Sequence, residues 1–251
     1  MFQELQRGKL AAGLANPFAL QMLASVRDQG ETLKQVREHI ERLISTIGQL
    51  WAEGKKEEAM ALMETECEPF LASIFLKDRV AFGLAGFAQR LQEEGKPLVA
   101  EALATAAVQI GKTRVGERKQ YTIWAMYVLG NIHRLQGRLE EAEPVLVRAC
   151  ELAREVRGAT DGHTLGCVDT LAQLYRDQGR FQDAESTLLE ANRNLESTSE
   201  SKPRVTLRFI GLLAKLYDDW GKPEKAAEWR AKLPTEQEAV ASDRPGQTSS
   251  E

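Results

Sequence analysis

His163 and Cys167, in the stretch HTLGC, stand four residues apart, a spacing that puts two side chains on one face of a helix. A thiol beside an imidazole can become a nucleophile, so this pair is the first candidate for chemistry. No third orienting group and no oxyanion loop accompany it. The reading is that Cys167 packs as a small apolar residue near the start of a helix. Metal binding needs convergent ligands, and three histidines (His39, His133, His163) with three cysteines (Cys67, Cys150, Cys167) never reach a paired ligand spacing. A glycine-rich phosphate loop is missing from the sequence. Acid runs such as Glu140, Glu141 and Glu143 fall where second helices start; there they suit the helix dipole and are expected to face solvent. The chain is therefore read as no enzyme, with no catalytic residues, no metal site and no cofactor.

Bulk composition points the same way. Of 251 residues, 43% are hydrophobic and 28% charged, with 33 Lys and Arg against 37 Asp and Glu. Phosphate backbones need clustered cations, and no basic block occurs, so nucleic acid is not expected as a partner. No apolar run approaches the roughly 20 residues of a membrane span, so membrane insertion is not expected. Three cysteines far apart in the sequence suggest reduced thiols and a cytoplasmic location.

The elements that would carry any surface come from an internal period. LGNIHRLQGRLEEAEPVLVRA at 129–149 and LAQLYRDQGRFQDAESTLLEA at 171–191 agree at nine of 21 positions without a gap. Gly95, Gly137, Gly179 and Gly221 follow one another at intervals of 42 residues. Five residues after each stands an alanine (Ala100, Ala142, Ala184, Ala226), and seven before each a small residue (Ala88, Gly130, Ala172, Ala214). A fainter copy surrounds Gly54, giving five. Apolar residues recur with helical period on both sides of each glycine. Each copy thus predicts two helices joined by a tight glycine turn, with small residues letting the axes come close. Such a hairpin buries its apolar face only by stacking on the next one.

The small residue, loop glycine and alanine series resembles the tetratricopeptide repeat. The 42-residue spacing, LYRDQGRFQDAE and the connector REVRGATDGHTL resemble its kinesin-light-chain subtype, widespread in bacterial proteins. At 169–173, however, the chain reads DTLAQ where that subtype often pairs asparagines. The resemblance implies an all-α, right-handed α-solenoid of about five stacked helical hairpins, near 31–70, 75–112, 118–157, 163–197 and 203–233. Residues 1–30 are read as an N-terminal arm or capping helix and 234–251 as a disordered tail.

The resemblance also implies a function: a non-enzymatic scaffold or adaptor whose first helices line a concave groove for a peptide or protein segment. Carried over by phase, the groove residues are Phe82, Gln89 and Gln92, then Trp124, Tyr127, Asn131 and Arg134. Asp169, Gln173 and Arg176 follow, and then Arg208 and Lys215. Aromatic and arginine side chains in this set are the residue types that dominate interface energies. The N-terminal end lacks a clear seal, so self-association there is a further expectation. A second reading is a sensor or regulatory module of a larger bacterial signalling system, associated with a Ser/Thr kinase or protease. LYDDWGKPEKAAEWRAKLP resembles the terminal repeats attached to bacterial Ser/Thr kinases, although the chain has no kinase motifs of its own.

Overall fold

The structure, a computed structural model, describes residues 33–63, 65, 80–198 and 203–234. The expected N-terminal arm at 1–30 and its self-association, Cys67, and the tail beyond Pro234 lie outside the described residues. Among these residues every regular element is helical. They form two compact units, divided between Gln136 and Gly137.

The first unit holds α1 (Leu33–Ala52), α2 (Lys56–Leu62), α3 (Val80–Glu93), α4 (Pro97–Ile110), a π-helical turn (Gly111–Val115) and α5 (Gln120–Leu135). The second holds α6 (Leu139–Arg157), α7 (Gly162–Asp177), α8 (Phe181–Ser197), α9 (Pro203–Asp219) and α10 (Pro223–Arg230). The period glycines sit in the left-handed region, with φ of 75° at Gly54, 76° at Gly95 and Gly137, 73° at Gly179 and 72° at Gly221. A Cβ there is costly. Around Gly95 the glycine N–H donates to the Gln92 carbonyl at 3.1 Å and Lys96 N–H to the Leu91 carbonyl at 2.8 Å. Gly54, Gly179 and Gly221 repeat the same pair of bonds. This is the Schellman closure of a helix, which satisfies carbonyls that the last turn leaves open. Pro97 and Pro223 then begin the following helices at a position where a missing N–H is harmless.

Packing follows from the small residues. In α3, Gly83, Ala85 and Ala88 are buried, and in α4 so are Ala100, Ala102, Ala104, Ala106 and Ala107. Helix α4 touches α1, α2, α3 and α5, so its sequence PLVAEALATAAVQI is apolar almost all round, as a helix enclosed on all sides must be. In the second unit, Leu165, Val168 and Ala172 of α7 meet Ala184, Leu188 and Ala191 of α8 and Phe209, Leu213 and Leu216 of α9 in one cluster. Its far end is closed by aromatic stacking. Trp220 lies 5.7 Å from Phe181 at 13° and 6.1 Å from Tyr217 at 2°, with Lys222 Nζ 3.1 Å above the indole.

Glu143 departs from the expected solvent-facing role. Its carboxylate accepts from Arg180 Nη1 at 2.7 Å and Gln178 Nε2 at 3.0 Å. Glu140 and Glu141, in the first turn of α6, remain exposed. The difference is one of helical phase: Glu143 lies a turn further on, towards the loop between α7 and α8. Arg180 also binds Asp183 at 2.7 Å and lies over the Tyr175 ring at 4.5 Å, so a single guanidinium ties three helices together.

Two outcomes check this account. At Gly111 an added Cβ would stand 2.7 Å from Thr122 Oγ1 and 2.9 Å from its Cγ2, so Gly111→Ala should lower unfolding free energy by about 1–3 kcal/mol. At Gly86 the same Cβ meets nothing within 4 Å, and Gly86→Ala should be neutral or stabilising by up to about 1 kcal/mol in urea denaturation. The bonds from Arg180 and Gln178 hold the Glu143 carboxyl below its ordinary value of 4.5. Its contribution is complete above that value and fades as pH falls through the lowered one. Glu143→Gln should therefore be the less stable protein at neutral pH, by under about 1 kcal/mol for so exposed a pair. The gap should close as pH falls below the lowered value.

Candidate interaction surface

The residues assigned to the groove fall on the two units separately. In the first, Phe82 projects from the start of α3, 41% exposed. Its ring lies 5.6 Å from Tyr121, edge to face, and 6.3 Å from Trp124. Trp124 in turn lies 5.1 Å from Tyr127. Four rings from two helices make one continuous half-buried aromatic surface. It exists because YTIWAMY places aromatics at i, i+3 and i+6 of α5, on the side away from the buried Thr122, Ile123, Ala125 and Met126. Spacing from the period glycines does not select Tyr121; that aromatic triplet is the signal that finds it.

Beyond the rings comes a polar stretch. Arg134 donates through Nε and Nη2 to Asn131 Oδ1, both at 3.3 Å, and Gln89 Nε2 donates to Glu93 at 3.4 Å. Gln92 is half-buried, and its side-chain carbonyl has no hydrogen-bond partner among the described residues. The Gln89 and Asn131 amides are thus oriented by neighbours on their own helices.

In the second unit the picture differs. Asp169 is only 6% exposed. It accepts from Gln173 Nε2 at 2.9 Å and is bonded to Arg208 of α9. The Asp169 and Arg208 charges, expected to be offered to a partner, instead neutralise each other between α7 and α9, because a buried carboxylate demands a counter-charge. Arg176 pairs with Asp177 at 3.1 Å and reaches Asp219 at 3.6 Å. Lys215 is exposed.

The candidate catalytic pair separates. His163 is exposed near the start of α7, beside Asp161, which caps that helix by accepting from the His163 N–H at 2.9 Å. Cys167 is buried and meets Cys150 of α6. The two cysteines, taken as far apart from their numbering, are neighbours. His133 is a buried ring of α5, its Nε2 3.9 Å from the buried Glu101 carboxylate of α4. No group of three His, Cys, Asp or Glu among the described residues could hold a metal ion. Among the same residues no helix is long and apolar enough to cross a membrane.

Hairpins of this form, with a left-handed glycine between helices packed through alanines, define a helical repeat protein. Family models of the tetratricopeptide repeat match residues 82–155 and 164–191, and these residues are tetratricopeptide repeats. No curated protein matches the sequence. Among solved structures, BtubC (BKLC) from P. vanneervenii is similar at a TM-score of 0.62 and 16% identity, over 94% of this chain and 97% of that one. Nearly identical TPR-like repeats of a Podosopora anserina protein assigned as a kinesin light chain align at 0.59 and 17%, over 82% and 98%. At these identities the likeness is one of fold: all-α, of the tetratricopeptide-repeat solenoid class. Repeats of this family are protein-interaction scaffolds.

The Asp169–Arg208 contact has a measurable consequence. Arg208→Ala should destabilise the second unit by roughly 1 kcal/mol, by leaving a buried carboxylate with one amide donor. In a double-mutant cycle with Asp169→Ala, the coupling should exceed about 0.5 kcal/mol. A coupling near zero would place Arg208 on a free surface.

Proposed function

We propose that the protein is a non-enzymatic adaptor that holds an extended peptide or a partner's helix against the first unit, on the face formed by α3 and α5. The observation that carries this reading is the four-ring surface of Phe82, Tyr121, Trp124 and Tyr127. Aromatic side chains give large contact area at low entropic cost, and clusters of them form the centres of interfaces. Gln89, Asn131 and Arg134 continue the surface with amide and guanidinium groups able to bond a backbone carbonyl or a carboxylate. The second unit carries polar side chains of its own at Gln173, Arg176 and Lys215, while Asp169 and Arg208 act chiefly on each other. The partner is thus a protein segment with apolar anchors, and the work done on it is positioning.

The test is selection of peptides from a displayed random library on the full chain, followed by affinity measurements on the variants. Trp124→Ala should weaken the selected peptides at least about tenfold, the loss expected of an interface anchor. Lys112→Ala, at an exposed position on the π-helical turn, should leave them unchanged. Circular dichroism must show equal helicity for all three proteins. Peptides that bind the Trp124 variant as tightly as the wild type would remove the aromatic face from the mechanism.

A further inference from the structure

Cys150 lies in the middle of α6 and Cys167 in the second turn of α7, and these helices pack on each other. Both thiols are free, 5% and 3% exposed, and near enough for Cys167 to act directly on the Cys150 thiol. Ala149 and Ala153, both fully buried, flank Cys150 on α6 and let the helices come close enough for two short side chains to meet. One turn before Cys167 on the same helix, the hydroxyl of the buried Thr164 has no hydrogen-bond partner among the described residues. The equivalent positions one period away hold Val108 and Ala125 for Cys150 and Cys167, or Asn192 and Phe209, so the thiol pair belongs to this one helix contact.

We propose that Cys150 and Cys167 form a redox modification site, a dithiol that closes to a disulfide with a hydroperoxide as oxidant and locks α7 onto α6. In the first step one thiolate attacks the peroxide, the O–O bond breaks, and a sulfenic acid and one water (or alcohol) result. In the second, the partner sulfur attacks the sulfenic sulfur, the S–O bond breaks, the S–S bond forms and a second water leaves. Two electrons pass from the sulfurs to the peroxide. The neighbouring Cys167 and burial push the Cys150 thiol up, and with both sulfurs buried the reaction waits on local opening. The bridge would close a loop of about 17 residues through the turn at Gly158–Asp161, a length at which a cross-link restrains the unfolded chain appreciably. Helix α7 also carries Asp169, Gln173 and Arg176, so the oxidation state of the pair sets how firmly that surface is held.

The experiment uses the full chain with Cys67→Ser, which removes the third thiol and leaves the pair. After mild hydrogen peroxide treatment, a non-reducing tryptic map should join the peptide of residues 149–154 to that of 158–176. The melting temperature should rise by roughly 5 °C or more and fall back on reduction. Cys67→Ser/Cys150→Val, which fills the site with an apolar side chain one methyl larger and removes one sulfur, should show neither the joined peptide nor the shift. Should that variant fold poorly, Cys67→Ser/Cys167→Ala serves the same comparison. Peroxide treatment that yields only sulfinic acid, or dimers linked through single cysteines, would overturn the proposal. So would a joined peptide formed without any change in melting temperature, since the bridge would then hold nothing in place.

Discussion

The turns at Gly54, Gly95, Gly179 and Gly221 each depend on a glycine held near φ 75°, followed by a residue whose N–H reaches back five positions to close the helix before it. That closure fixes where one helix stops and the next begins, and so fixes which side chains face each other across the hairpin. With the turn set, alanines at constant distances from the glycine meet on the two helices and the axes can approach. Larger residues such as Leu91, Leu174 and Leu216 then fill the space alongside. The apolar face left over on one hairpin is covered by the next, which is why α4 is buried along most of its length.

Because the repeating positions are spent on packing, individuality is confined to the positions between them. The aromatic surface on α3 and α5 is one such departure, and the Asp169–Arg208 pair another. Both lie on first helices of hairpins, yet they act in opposite ways. The rings lie against one another in a half-buried row. The charged pair is turned inward, where Asp169 is enclosed and needs Arg208 to offset the loss of water. A shared position in a repeat therefore does not assign a shared role; burial of the neighbouring residue decides it.

The sequence alone determined the helical hairpins, their turns and the order in which they follow. These depend on local preferences: glycine at a left-handed position, proline at a first turn, apolar residues at helical spacing, and a 42-residue phase that any reader of the chain can count. The aromatic triplet YTIWAMY was legible in the same way, since all its members lie on one helix. Tertiary structure decided what the period cannot carry. Phe82 joins the rings because α3 packs on α5, Glu143 turns from solvent to Arg180 because the loop after α7 reaches it, and Cys167 leaves His163 for Cys150 because α6 covers that face. Each is a distance between helices that are remote along the chain, and such distances depend on how side chains interlock, which no spacing within a single helix records.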